Sequence, residues 1–303
     1  MGVGRSGTSL LQAMLASHSQ VYFLPETSFL RRFVMTRSLE TLPIESIKSM
    51  LLNDTRLQRL ERPISPFTSE TSDKTFIAKT IYESLFDTNE SLEYFGDKDP
   101  RNVEYVLPIL SMWPDSKLIH IYRDPRDVLA SKKKAEWSKH NSLFFHLVAG
   151  AAQFALAQES KNTSSIYHIR YESLIVNQTD ELGKLCDWLS IRFDSSMENF
   201  ASEAKRLASK EEMQWKGETL GPILKNNSGK WRQSLTSMEV AAVETACKAA
   251  MIAGKYTKSD HRKFFPTLTG RTLGLAARFV AFVYRLKRAS SNRRFMQQYR
   301  EQS

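Results

Sequence analysis

The chain has 303 residues, 41% hydrophobic and 25% charged, which is enough material for a core and rules out disorder along the whole length. Its net charge of +10 is unevenly placed: residues 261–303 hold ten Lys or Arg against the single acid Glu301, so the body before them is nearly neutral and is no general polyanion binder. Cys186 and Cys247, the two cysteines, both fall in apolar helix-like patterns and read as buried thiols in a reducing compartment.

The first segment is a Gly-rich loop, Met1 to Ser9, running into a helical stretch from Leu10 to about Ala16. A loop of this kind at a helix start binds anions, because its amide groups point outward and the helix dipole favours negative charge. Gly7 permits close backbone approach, Arg5 adds a guanidinium fork, and Ser6, Thr8 and Ser9 add hydroxyls. Two known phosphate loops nearly fit. Gly2-x-Gly4-x-x-Gly7 matches a dinucleotide fingerprint, with Glu26 19 residues beyond Gly7 in the place of the ribose-binding acid. Gly2-x4-Gly7-Thr8-Ser9 is a Walker A loop with Thr8 where Lys is required, which argues against an ATP-hydrolysing site.

Further along, Gln20–Leu24 predicts a short strand, 44–60 a helix, 61–75 a loop and 103–112 a short helix. Lys117–Tyr122 predicts a strand whose end carries Arg123, followed by a turn and a helix starting near Asp127. Asp127 reads as a capping acid. Arg126 reads as its salt-bridge partner or that of Asp124. Ser131 lies eight residues past Arg123 and can face the same ligand. Leu143–Ala157 predicts a buried helix, Ser165–Tyr171 a strand, Leu182–Leu189 an amphipathic helix, 215–230 a loop and Met238–Ala250 a helix. Strands alternating with helices imply an α/β fold with a mainly parallel sheet. The six His are scattered and no His/Cys/Asp/Glu group has metal-ligand spacing, so no metal is expected.

Two anion sites, Arg5 with its loop and Arg123 with Ser131, suit a nucleotide with phosphates at both ends. A simple NAD(P) site leaves the second unexplained.

The pattern resembles the PAPS-dependent sulfotransferases. Arg5-Ser6-Gly7-Thr8-Ser9-Leu10 is similar to their 5′-phosphosulfate loop, and Tyr122-Arg123-Asp124-Pro125-Arg126-Asp127 through Ser131 to their 3′-phosphate motif. Asp97-Lys98-Asp99-Pro100 resembles an element of the bacterial and tyrosylprotein sulfotransferase-like branches, and Glu26 sits at the distance of the latter branch's catalytic glutamate. Arg170-Tyr171-Glu172-Ser173-Leu174 and Gly229-Lys230-Trp231-Arg232 are also similar, the second to a late loop that closes over the nucleotide. Ala135 and Gly229 stand where the tyrosylprotein branch has a basic residue and a serine.

The resemblance implies a P-loop-like three-layer α/β fold, with a mainly parallel central sheet flanked by helices, over residues 1–260. It implies transfer of a sulfuryl group from 3′-phosphoadenosine 5′-phosphosulfate (PAPS) to an acceptor hydroxyl, leaving the bisphosphate PAP. Glu26 would be the general base and Lys98 would stabilise the leaving group. Arg5, Ser6, Gly7, Thr8, Ser9, Arg123, Ser131, Tyr171, Lys230 and Trp231 would hold the donor. Trp231 and Tyr171 have core packing as the alternative, and Lys230 a solvated loop. A glycan or glycolipid acceptor is favoured, with peptide tyrosine as an alternative and an NAD(P)-linked oxidoreductase as the competing class.

Residues 261–303 form a basic amphipathic tail, with Arg271, Arg278 and Arg285 recurring every seven residues beside an apolar run. Three placements stay open for 271–288: an anionic membrane interface, a partner, or packing on the body. No recognition motif accompanies the charge, so nucleic acid is not expected. The expected location is cytoplasmic, with peripheral membrane contact.

Overall fold

A computed structural model describes residues 1–35, 43–58, 60, 74–86, 92–159, 164–209, 221, 223–260 and 264–302. Most of the loop expected at 61–75, and residues 215–220 and 222 of the late loop, lie outside them.

Among the described residues there are two parallel strand pairs. Strand β1 (Val21–Phe23) pairs with β2 (Tyr94–Gly96), and β3 (Leu118–Tyr122) with β4 (Ile166–Arg170). The opening residues lie between the pairs. The Met1 amino group donates to the Ile119 carbonyl at 2.9 Å, Ile121 N donates to the Met1 carbonyl at 3.1 Å, and Gly2 N donates to Pro100 at 3.0 Å.

Alternation along β3 sets the layers, since successive strand side chains point to opposite faces. Ile121 and its partner Ile169 are buried with α1 (Thr8–Ala16), α8 (Tyr171–Val176), α9 (Gln178–Leu189) and α10 (Ala201–Leu207). His120 and Tyr122 face the other way, with ring centroids 5.8 and 6.0 Å from Phe154 of α7 (Leu143–Glu159). The His120 and His168 rings meet there at 3.0 Å. The result is a three-layer α/β fold, as expected.

The long stretch expected at 44–60 is two helices, α2 (Ile44–Leu52) and α3 (Thr55–Gln58), and α4 (Lys74–Ser84) follows them. Asp54 divides α2 from α3 because its carboxylate accepts from the amides of Arg56 and Leu57, which starts a new helix. The helix expected over Met238–Ala250 is also two, Ser237–Ala246 and Lys248–Ala253, and the first carries a capping box between Thr236 and Glu239. Both cysteines are buried.

The last helix, Phe264–Gln302, has 39 residues. It packs along the helix Ser237–Ala246, α7 and α5 (Val106–Met112). Gly270 and Gly274 let its backbone touch the body: a Cβ there would come within 2.2 Å of the Met238 carbonyl and 2.5 Å of the Ala242 carbonyl. Further along, Tyr284 Oη donates to Glu104 at 2.6 Å, and Asn292 Nδ2 donates to the Glu104 carbonyl at 2.9 Å.

Candidate active site

Helix α6 (Pro125–Lys134) starts earlier than expected, and its cap is Asp124, not Asp127. Pro125 opens the helix and the Asp124 carboxylate accepts from Arg126 N at 2.9 Å. Asp127 is the correction to the sequence reading. It accepts from Gly229 N at 2.7 Å and Trp231 N at 2.9 Å, and so ties the late loop to α6. Burial pushes its carboxyl up, against the pull of those two amides. Arg126 is buried and structural: it pairs with Asp124 and Glu244, each at 2.7 Å, and donates to the Thr257 carbonyl at 2.9 Å.

The glycine-rich loop reaches α1 through two left-handed residues, Arg5 at φ 75° and Gly7 at φ 97°. Gly7 is required twice over, since a Cβ there would also lie 2.4 Å from the Tyr171 ring. No side chain caps α1, so the amides of its first turn are open to an anion. The two predicted anion motifs meet directly: Arg5 Nε donates to Ser131 Oγ at 2.9 Å.

Arg123 sits just past the end of β3, 9% exposed. One Nη donates to the Asn227 carbonyl at 2.7 Å, and the guanidinium lies 4.4 Å from the Tyr171 ring centroid. The Asn227 amide in turn donates to Tyr171 Oη at 2.9 Å. Arg123 Nε is buried with no hydrogen-bond partner. An orphaned guanidinium N–H at this place fits a group that brings its own acceptor oxygen. Glu172 braces the turn by accepting from Asp124 N at 2.9 Å.

Lys98 pairs with Glu26 rather than with its chain neighbours Asp97 and Asp99. Lys98 is 4% exposed; its ammonium donates to the Glu26 carboxylate and lies 3.4 Å from Ser9 Oγ. Asp99 pairs instead with Arg31 at 2.9 Å. Burial pushes the Asp99 carboxyl up, but Arg31 and the Arg101 amide outweigh it and hold the group below the ordinary range. Burial pushes Asp97 up to about 6.

Arg5, Gly7, Thr8, Ser9, Glu26, Lys98, Arg123 and Tyr171 all line one cavity of about 850 Å³. That size suits a nucleotide with part of an acceptor. Trp137, Phe145, Val148, Ala149 and Ala152, on and before α7, give the cavity apolar side chains beside the polar Lys132, Asn141 and Gln153. Four predicted residues stand apart from the cavity walls. Ser6 is 1% exposed and lines a smaller cavity behind Arg123. Trp231 packs into the body with the Arg126 guanidinium 4.1 Å from its ring centroid. Lys230 is on the exterior, at the start of the short helix Trp231–Ser234. Ser131 meets the site through Arg5.

Sequence reasoning missed Asn227 and Lys132. The Gly-Lys-Trp run two residues on marked the neighbourhood of Asn227 but not its bond to Arg123. Lys132 was one of three consecutive lysines, and helical phase alone separates it: it is buried and lines both cavities. Burial pushes its ammonium down to about 8. Among the described residues no group of three metal-ligating side chains occurs.

The sulfotransferase family profile matches residues 1–195. The chain belongs to the sulfotransferase family. The match covers both anion motifs and the Glu26–Lys98 pair. Two solved structures share the fold. The sulfotransferase domain of the Synechococcus PCC 7002 olefin synthase is 21% identical, with a TM-score of 0.62 over 84% of this chain and 93% of that one. The sulfotransferase domain of the curacin biosynthetic pathway is 16% identical, with a TM-score of 0.57 over 85% and 96%. A curated relative, an uncharacterized protein of Aquifex aeolicus (strain VF5), is 28% identical over 151 residues, and the match spans 48% of this chain and 18% of that protein. Membership in this family displaces the dinucleotide reading of the glycine loop.

Proposed function

We propose that this sulfotransferase moves a sulfuryl group from PAPS to an acceptor hydroxyl, and that Glu26 and Lys98 carry the chemistry. The observation that supports this most is the buried Lys98 ammonium, held against both Glu26 and Ser9 inside the cavity that also receives the phosphate loop and Arg123. In this reading the α1 amides with Arg5, Thr8 and Ser9 hold the 5′-phosphosulfate. Arg123 holds the 3′-phosphate on its orphaned Nε, and Tyr171 supports Arg123 from below. Ser131 orients Arg5. The acceptor oxygen forms its bond to sulfur as the bond from sulfur to the bridging phosphate oxygen breaks. Its proton passes to the Glu26 carboxylate, and charge on the departing oxygen is met by Lys98. Lys230 and Trp231 act through the loop tied to Asp127. The apolar side chains of Trp137, Phe145, Val148, Ala149 and Ala152, interleaved with Lys132, Asn141 and Gln153, favour an acceptor with both an apolar body and polar groups, as a glycolipid has.

Calorimetric titration with adenosine 3′,5′-bisphosphate, with NADH and NADPH as controls, tests the donor. Tight bisphosphate binding and no nicotinamide binding are expected; the reverse pattern sinks the proposal.

Lys132 gives this binding a pH signature. Near pH 8 its ammonium is partly deprotonated in the free protein, and a nearby phosphate favours the charged form. Bisphosphate binding at pH 8 to 9 is therefore expected to take up a fraction of a proton, and affinity to fall as pH rises through that window. Titrations in two buffers of different ionisation enthalpy measure the uptake. Uptake that survives Lys132→Met would assign the proton elsewhere.

A further inference from the structure

The last helix has two unlike faces. Gly270, Gly274, Ala277 and Ala281 fall on one side and are buried against the body. At 100° per residue, Phe264, Leu268, Leu275, Phe279, Phe282 and Leu286 cluster on the opposite side. All six are exposed, Phe279 at 68% and Leu286 at 55%. Backbone contact at Gly270 and Gly274 prevents the helix from rolling to bury this stripe. Single exposed apolar residues need no explanation, but a continuous stripe along several turns does.

Charge selects the occupant. Arg271, Arg278 and Arg285 run along one edge of the stripe, and Lys287 with Arg294 lie along the other. Arg285 is anchored to Glu159 of the body at 2.7 Å. Arg271, Arg278, Lys287 and Arg294 are exposed. The sole acid of the helix is Glu301, at its far end. Aromatic and aliphatic side chains flanked by two cationic edges match a bilayer surface. The apolar stripe enters the acyl boundary while the long basic side chains reach up to anionic headgroups. No described helix is long and apolar enough to cross a membrane.

We propose that the outer face of helix Phe264–Gln302 docks the protein on an anionic lipid bilayer. Body packing and membrane contact, alternatives in the sequence, are then the two sides of one helix.

Flotation of the full chain with vesicles tests this. The protein is expected to rise with phosphatidylcholine vesicles containing phosphatidylglycerol, to stay behind with phosphatidylcholine alone, and to be released by salt. Arg271→Gln with Arg278→Gln should weaken binding by about thirtyfold, from roughly 1 kcal/mol for each basic residue near such a surface. Phe279→Asp with Phe282→Asp should abolish it, and as outward-facing changes both should leave the circular dichroism spectrum unaltered. Failure of the folded chain to float with the anionic vesicles overturns the proposal. So does self-association in light scattering that Phe279→Asp removes, because a second copy would then own the face.

Discussion

Glu26→Gln is expected to lower turnover by about a hundredfold to ten-thousandfold, the range over which a positioned general base acts. The substitution keeps the size of the side chain and a carbonyl oxygen for Lys98, so the cavity should keep its shape. Affinity for adenosine 3′,5′-bisphosphate should stay within about threefold, because loss of one neighbouring charge is worth less than a direct phosphate contact. Single-turnover kinetics beside calorimetry separate the two quantities. Turnover near the wild-type value would remove Glu26 as the base. Parallel loss of turnover and affinity would mean that Glu26 serves to hold Lys98, which is the other role their contact allows.

Arg123→Ala is expected to weaken binding of the 3′,5′-bisphosphate by about ten- to a hundredfold, the worth of one charge-assisted hydrogen-bonded contact. Binding of adenosine 5′-phosphosulfate, which lacks the 3′-phosphate, should change far less. The comparison is needed because Arg123 also has a structural part: it donates to the Asn227 carbonyl and lies over Tyr171. If both ligands lose affinity equally, Arg123 positions the loop and does not read the 3′-phosphate. Asn227→Ala offers a second view. It removes the Tyr171 contact and leaves the Arg123 acceptor, a backbone carbonyl, in place. It should therefore preserve the discrimination between the two ligands.

The anion motifs were legible because their chemistry is local. A glycine loop before a helix, and an arginine at a strand end eight residues from a serine, are patterns of spacing. Their meeting through Arg5 and Ser131 was not legible, since 126 positions separate the partners. Asp127 shows how local rules mislead. Asp-Pro-Arg-Asp offers two carboxylates at one helix start, and Pro125 gives the cap to Asp124. That leaves Asp127 free for amides more than a hundred residues away. The role of Asn227 itself was not legible: its bond to Arg123 uses a backbone carbonyl that any residue could supply, and its side-chain bond to Tyr171 spans 56 positions. The last helix was half legible. Its apolar and basic stripes stood out, but the small residues that seat it on the body read as an ordinary part of the apolar run.

The seating of residues 1–9 has a consequence for biosynthesis. Residues 1–9 leave the ribosome well before their backbone partners Pro100, Ile119 and Ile121, and Arg5 waits for Ser131. At roughly 5 to 20 residues per second, these partners leave the exit tunnel many seconds later. During that interval the phosphate loop has nothing to close against. A nascent chain stalled before Ser131 emerges should hold no nucleotide, and release past that point should let the loop fold as one of the last local events rather than the first.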